Sequence, residues 1–192
     1  MTSLFLVALC AATAIGVPAE PPRIGDRVPN FTAIALDGTT LSLQDAVETH
    51  RAVVVLFLST VCPYANYFGK HLGRLEQDYR RKGIRFIGVN SNQFETVEEM
   101  VENAQAHGQE FSLVRDKDAT LANRLGASCS PEAYVIDGEG RLRYRGWVLS
   151  KQRSPDLKRA LDALLNGRPV RPARTKAFGC AIDWPRASYA SR

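Results

Sequence analysis

Apolar residues in this chain form short continuous runs that alternate with stretches of helical spacing. The run Val53–Leu58 is apolar throughout, which predicts a strand covered on both faces. A polar step at Ser59-Thr60 follows, and beyond it apolar residues recur at intervals of four, three and four. These residues are Phe68, Leu72, Leu75 and Tyr79. Their spacing predicts an amphipathic helix directly after the strand.

The rest of the chain repeats this alternation of strand and helix. Ile84–Val89 predicts a second core strand, and Thr96 with Glu99 has the spacing of a capping box at the start of a helix. Further along come a strand at Ser112–Val114, a short helix capped by Asp118, a strand at Ala133–Ile136, a turn at 137–140, a returning strand at Leu142–Gly146 and a helix starting at Ser154. This order predicts an α/β fold with a central mixed sheet flanked by helices on both faces.

Cys62 and Pro63 stand where the first core strand meets the long helix. Proline suits the first turn of a helix, because the N–H that it lacks would have no partner there. Cys62 is therefore expected at a helix N-terminus, where the helix dipole and free N–H groups favour the reactive thiolate. This placement predicts a redox-active thiol, and the alternative is an inert buried cysteine.

Several motifs, taken in order, resemble one known group of proteins. Cys62-Pro63 after a core strand and Ser130-Pro131 before another resemble the thioredoxin fold. Within that fold the chain is most similar to the redoxin branch, which includes the peroxiredoxins of the alkyl hydroperoxide reductase and thiol-specific antioxidant type. The stretch 24–38, Asn90-Ser91-Asn92 and the late segment 179–184 are similar to an exported peroxiredoxin-like subgroup. The resemblance covers about residues 24 to 184.

The resemblance implies a thioredoxin-like fold and a thiol-dependent oxidoreductase without a cofactor. Its substrate would be a peroxide or a protein disulfide, and a redox partner protein would supply or accept electrons. Pro131 would be a cis-proline facing the reactive cysteine, which brings Cys129 near it. The residues expected to line the site are Ser59, Thr60, Pro63, Tyr64, Asn90, Asn92, Ser130 and Pro131.

Two differences from better-known relatives limit which redox activity we expect. Thioredoxin uses a second cysteine three positions after the first, but this chain has Ala65 there. Peroxiredoxins have a hydroxyl residue three positions before the reactive cysteine, and Ser59 fills that place. They also use an arginine near the strand that here begins after Pro131, where this chain has none. Its absence argues against fast peroxidase chemistry.

The cysteine count leaves more than one mechanism open. Cys10 lies in the apolar segment 1–19, which is expected to be removed, so Cys62, Cys129 and Cys180 remain. An odd number of cysteines leaves at least one thiol unpaired or shared between molecules. In the favoured mechanism Cys62 attacks the substrate and Cys180 resolves the product, with Cys129 as the rival resolver. A permanent Cys62–Cys180 bond in a binding scaffold is the alternative, and closing so long a loop would contribute roughly 4 to 5 kcal/mol.

The leader and the tail suggest where the protein acts. Residues 1–19 carry no charged side chain and end in Val17-Pro18-Ala19, which predicts a signal peptide and export to a periplasm or the cell exterior. A redoxin domain is expected over residues 20–167, and a basic, proline-rich tail that carries Cys180 over 168–192. Disulfides persist in exported compartments, which agrees with redox chemistry.

Charge and metal-ligand content separate the remaining classes of function. The net charge is +5, and part of it is concentrated in the tail. The tail could contact a membrane surface, but we expect its charged side chains to be solvated. The sequence contains no nucleic-acid motif. A copper carrier is a third hypothesis, but the three histidines are scattered along the chain and no metal site is predicted.

Overall fold

A central five-stranded sheet organises the protein. The computed structural model describes residues 20–149 and 156–182. The strands are β1 (Thr32–Ile34), β2 (Thr40–Ser42), β3 (Ala52–Phe57), β4 (Ile84–Asn90), β5 (Ser112–Arg115), β6 (Cys129–Ser130), β7 (Glu132–Asp137), β8 (Leu142–Gly146) and β9 (Cys180–Ala181). The main sheet has the order β5-β4-β3-β7-β8. β3, β4 and β5 run parallel to one another, and β7 and β8 run antiparallel to their neighbours, so the predicted mixed sheet is confirmed.

Five helices are described, and they cover both faces of the main sheet. They are α1 (Leu43–Thr49), α2 (Pro63–Arg80), α3 (Val97–His107), α4 (Thr120–Leu125) and α5 (Asp156–Leu165). Side chains of β3 alternate between the two faces: Val53, Val55 and Phe57 pack with α1 and α4, while Ala52, Val54 and Leu56 pack with α2 and α5. The strand is fully buried on both sides, as its apolar sequence predicted.

The long helix α2 buries the stripe predicted for it, including Leu72 and Tyr79. The capping box of α3 is also confirmed, since the Thr96 hydroxyl accepts the Glu99 N–H and the Glu99 carboxylate accepts the Thr96 N–H. The predicted helix start at Ser154 lies outside the described residues. No helix in the described part of the chain is both long and apolar enough to cross a membrane.

The predicted cap of α4 was wrong. The Asp116 carboxylate, rather than Asp118, accepts the N–H groups of Leu121 and Ala122 at 3.0 Å each. Ala119, which lies between Asp116 and the first residue of α4, has a backbone in the left-handed region, with φ of 52°. That turn lets a carboxylate further back along the chain reach the first helical N–H groups, and a spacing rule for regular caps does not anticipate it.

The segment after α5 returns to the sheet. The N–H of Arg145 on the edge strand β8 donates to the carbonyl oxygen of Ala173, and the Thr175 N–H donates to the carbonyl oxygen of Arg145. The Thr175 hydroxyl also accepts the N–H of Trp147 at 2.9 Å. The tail thus extends the β8 edge before it crosses to β6, and this course positions Cys180.

Candidate active site

Cys62 lies at the N-cap of α2, as the sequence predicted. The strand β3 delivers the chain to this point, and Pro63 occupies the first turn of the helix. The Cys62 side chain is fully buried, and its thiol donates to the carbonyl oxygen of Ser130 at 3.0 Å. The Ser130-Pro131 peptide bond is cis, as the resemblance implied.

Cys180 is the second thiol of the site. Strand β9 pairs antiparallel with β6, so that Cys180 lies opposite Ser130 and Ala181 lies opposite Cys129. The Cys180 side chain is half-buried and lies close enough to Cys62 for that thiol to help raise the Cys180 pKa. The tail therefore brings together two cysteines separated by more than half of the chain.

The surroundings of Cys180 disfavour its thiolate. Burial is the main cause that raises the pKa of Cys180 to about 11, and the neighbouring Cys62 contributes to the same rise. At neutral pH Cys180 is therefore a protonated thiol, which must lose its proton before it can attack another sulfur.

Cys129 occupies the opposite face of the same two-residue ribbon. Because side chains alternate along a strand, the Cys129 side chain faces away from that of Cys180. Burial and then the Glu132 carboxylate raise the pKa of Cys129 to about 11. All three described cysteines are free thiols in this structure.

A buried carboxylate at Glu95 holds the turn that precedes Cys62. The Ser59 hydroxyl donates to one of its oxygens at 2.6 Å, and the Thr60 N–H and the Asn90 amide donate to the other at 2.5 Å and 2.7 Å. Asn92 in turn donates its N–H to the Asn90 side chain at 3.0 Å. Glu95 was not predicted from the sequence, because an acidic residue just before a helix cap is typical of a solvated loop.

Aromatic side chains surround the entrance to the site. Tyr64 packs edge-on against Phe178 of the tail, with ring centroids 4.9 Å apart, and Trp147 lies 5.6 Å from Phe178. Tyr64 and Phe178 are each about two-fifths exposed, whereas Trp147 is buried. Tyr64 thus contacts the tail two residues before Cys180, and the buried Trp147 beside Phe178 is well placed to report on movement of the tail by fluorescence.

Arg145 and Glu132 form a buried ion pair behind the cis-proline. Their side chains meet at 2.9 Å and are 17% and 3% exposed. Arg145 also donates to the carbonyl oxygen of Gly126, and Glu132 also accepts the N–H of Ser128 at 3.1 Å. The pair ties β7 and β8 to the loop before β6.

Among the described residues, no three or more histidine, cysteine, aspartate and glutamate side chains are grouped so that they could hold a metal ion. His71 lies on α2, where burial lowers its pKa and the Arg74 charge lowers it further.

Comparison with known proteins identifies the family. Residues 24–145 match the AhpC/TSA family, which is more than half of the chain. The chain belongs to the AhpC/TSA family. This finding and the observed topology confirm the predicted redoxin with a thioredoxin-like fold.

Two curated relatives of this AhpC/TSA protein are named for thiol chemistry. The thiol-disulfide oxidoreductase ResA of Halalkalibacterium halodurans is 27% identical over 121 residues, covering 62% of this chain and 66% of that protein. The thiol:disulfide interchange protein DsbE of Escherichia coli K12 is 30% identical over 128 residues, covering 66% of each chain. The matched region thus spans about two thirds of each relative's length.

A solved structure matches more of the chain. An uncharacterised conserved protein from Geobacillus kaustophilus is 32% identical, has a TM-score of 0.77, and is matched over 85% of this chain and 93% of that one. Because this match covers most of both chains, the two proteins share one overall architecture.

Proposed function

We propose that the protein is a thiol-disulfide oxidoreductase in which Cys62 is the nucleophile and Cys180 resolves the intermediate. One observation carries the proposal: the pairing of β9 with β6 places Cys180 opposite Ser130, whose carbonyl oxygen accepts the Cys62 thiol and whose peptide bond to Pro131 is cis. Membership of the AhpC/TSA family and the names of the two curated relatives support thiol-dependent redox chemistry.

The reaction on a disulfide proceeds in two exchanges. The Cys62 thiolate attacks one sulfur of the substrate disulfide, forms a mixed disulfide and releases the first substrate thiolate. Cys180 then loses its proton and attacks the Cys62 sulfur, which forms a Cys62–Cys180 bond and releases the second substrate thiolate. Two electrons pass from the cysteine pair to the substrate, and a redox partner protein returns them.

A peroxide is the alternative substrate of the same pair. Cys62 would attack one peroxide oxygen and break the O–O bond, which gives a sulfenic acid and releases water or an alcohol. Cys180 would then condense with the sulfenic acid to form a Cys62–Cys180 bond and release a water molecule. The two arginines of β8, the strand beside the cis-proline strand, already have partners: Arg143 pairs with Asp137, and Arg145 with Glu132 and the Gly126 carbonyl oxygen. A protein disulfide is therefore the substrate that the geometry favours.

Access to Cys62 requires movement of the tail. Cys62 is fully buried beneath the β6–β9 ribbon, whereas Cys180 is half-exposed. A ribbon with only two residue pairs separates at little cost compared with a core strand, so a local opening can admit the partner disulfide.

The cellular setting is part of the proposal. We infer export through the apolar segment 1–19, which lies outside the described residues, to a periplasm or the cell exterior. A redox partner there would exchange electrons with the Cys62–Cys180 pair. The basic side chains of the tail within the described residues, Arg168, Arg171, Arg174 and Lys176, are exposed and remain available to an acidic partner or membrane surface.

The test compares two oxidants on the reduced mature protein. Insulin serves as the disulfide probe and hydrogen peroxide as the peroxide probe, with Trp147 fluorescence followed by stopped flow and the product mapped by non-reducing peptide mass spectrometry. We expect a Cys62–Cys180 bond and faster turnover with insulin. Faster turnover with peroxide would instead establish a peroxidase. Rates no higher than those of a free thiol with both probes would overturn the proposal and leave a structural disulfide.

A further inference from the structure

The turn between β3 and α2 is fixed by a side chain from another part of the chain. Glu95 is 3% exposed and comes from the loop between β4 and α3. Its carboxylate accepts hydrogen bonds from the Ser59 hydroxyl and the Thr60 N–H. Ser59 and Thr60 lie in the turn between β3 and α2, shortly before Cys62. The Thr60 N–H belongs to no sheet or helix, so this bond replaces a regular backbone partner.

The burial of Glu95 is unusual because no cation accompanies it. Within the described residues, no lysine, arginine or histidine forms an ion pair with it at up to 4.0 Å, whereas the other deeply buried glutamates, Glu76 and Glu132, are each paired with an arginine. A buried charge without a counter-ion is retained only when hydrogen bonds compensate it. Three donors converge on Glu95, and two of them come from the turn before Cys62.

The carbonyl group of Thr60, in the next peptide unit, is held by α2 and α3. Asn66, in the first turns of α2, donates its amide to the Thr60 carbonyl oxygen at 2.7 Å. Asn103 of α3 donates to the Asn66 side chain at 2.8 Å. The Thr60 N–H is thus held by Glu95, just before α3, and the Thr60 carbonyl oxygen is held by Asn66, which Asn103 of α3 contacts. These bonds connect the position of the turn to α3.

We propose that Glu95 is a positioning residue that sets the reactivity of Cys62 by fixing the Ser59-Thr60 turn. The thiolate at a helix N-terminus is stabilised only if it lies close to the free N–H groups of the first turn. Glu95 holds the chain two residues before the sulfur and thereby determines where that sulfur lies. This inference rests on the proposed role of Cys62 as the reactive thiol.

The test uses Glu95→Gln, which keeps the shape but turns one acceptor oxygen into a donor that faces other donors. We expect Cys62 to react with iodoacetamide at least about threefold more slowly at neutral pH, with its pH profile displaced to higher pH. Glu98→Gln, at an exposed position of α3, is the control for charge. Glu99→Ala is the control for stability, since it removes the α3 capping box without touching the turn.

The outcomes separate the two proposals. A wild-type protein that reduces insulin no faster than a free thiol would sink the proposed function. A reactive wild type with an unchanged Glu95→Gln rate and pH profile would overturn the role of Glu95 alone. An equal loss in Glu99→Ala would also overturn it, because the effect would then follow from the stability of α3.

A measurement on the unmodified protein gives a second test in case the variant does not fold. We expect the Thr60 amide to be protected from hydrogen exchange although it lies in a loop, because Glu95 accepts its hydrogen. Exchange of the Thr60 amide as fast as in an unstructured peptide would show that the carboxylate does not hold the turn.

Discussion

Gly179 lies directly against the carbonyl group of Ser130. A β-carbon built on Gly179 would come within 2.0 Å of the Ser130 oxygen, which is the atom that accepts the Cys62 thiol. Only a glycine therefore lets the tail approach closely enough for β9 to pair with β6. The glycine before Cys180 is what places the second thiol beside the first.

Substituting Gly179 by alanine should separate the tail from the site. The added methyl group overlaps backbone atoms, so β9 must move away from β6 and leave Cys62 more accessible. We expect alkylation of Cys62 to accelerate by about tenfold, equivalent to an opening made easier by roughly 1.4 kcal/mol, and the Cys62–Cys180 bond to form more slowly. Rates are measured by quenched iodoacetamide labelling and peptide mass spectrometry.

A matched control for this change is Gly138→Ala in the turn between β7 and β8. A β-carbon there would meet its nearest neighbour, the His50 carbonyl oxygen, at an ordinary 3.6 Å. Its labelling rate should equal that of the wild type. An unchanged rate in Gly179→Ala would mean that the contact with Ser130 does not hold the tail in place.

The three cysteines should differ sharply when each is replaced by serine. Cys62→Ser should abolish reduction of insulin, because the nucleophile is lost. Cys180→Ser should accumulate a mixed disulfide between Cys62 and the substrate, since no neighbouring thiol can resolve it. Cys129→Ser should retain turnover within about twofold, because its side chain faces away from Cys180. Trapping of the mixed disulfide in Cys129→Ser instead would make Cys129 the resolver.

The reactivity of Cys180 should depend on Cys62. Burial raises the Cys180 pKa first, and the hydrogen bond and charge of Cys62 add to that rise. In Cys62→Ser the second contribution disappears, so the Cys180 pKa falls from about 11 towards its usual range and labelling at about pH 9 becomes faster. The comparison is the iodoacetamide labelling profile from about pH 7 to 11 in Cys62→Ser and Cys129→Ser. Superimposable profiles would contradict the contact between the two thiols.

Alkaline pH should destabilise the fold partly through Cys129. Its folded-state pKa is raised to about 11 by burial and by Glu132, whereas an unfolded thiol titrates near about 8.5. The contribution is fully present below the unfolded pKa and is lost as pH rises through the folded pKa. Cys129→Ala should therefore lose less unfolding free energy than the wild type between about pH 8.5 and 11. Urea unfolding at several pH values measures this, and parallel curves would refute it.

Arg145→Met should be among the most destabilising single changes. It leaves the Glu132 carboxylate buried without its counter-ion, which typically costs about 3 to 5 kcal/mol. Adding Glu132→Leu should recover part of this loss, though not all, because Glu132 also accepts hydrogen bonds from Ser128 and Tyr134. Urea unfolding of the two variants provides the measurement. A double variant no more stable than Arg145→Met would argue against the charge as the cause.

Sequence patterns predicted those helices and strands whose formation depends on residues close together in the chain. The apolar run of β3, the stripe from Phe68 to Tyr79 and the Thr96 capping box all gave the elements that the structure contains. The α4 cap was misassigned because the left-handed turn at Ala119 cannot be read from spacing. The short strands β1 and β2 and the helix α1 were not predicted, since segments of three to seven residues carry too little periodicity.

The sequence by itself determined the covered sheet, the helix that begins after Cys62 and the chemistry of a thiol at its N-terminus. Hydrophobic period, proline placement and residue type act within a few residues along the chain, so the sequence alone is enough to predict their effect. Only the tertiary structure decided that the pairing of β9 with β6 brings Cys180 close to Cys62, and that the carboxylate of Glu95 holds the preceding turn. Those contacts join segments 35 to 118 residues apart, and they depend on where packing of the whole sheet brings each segment.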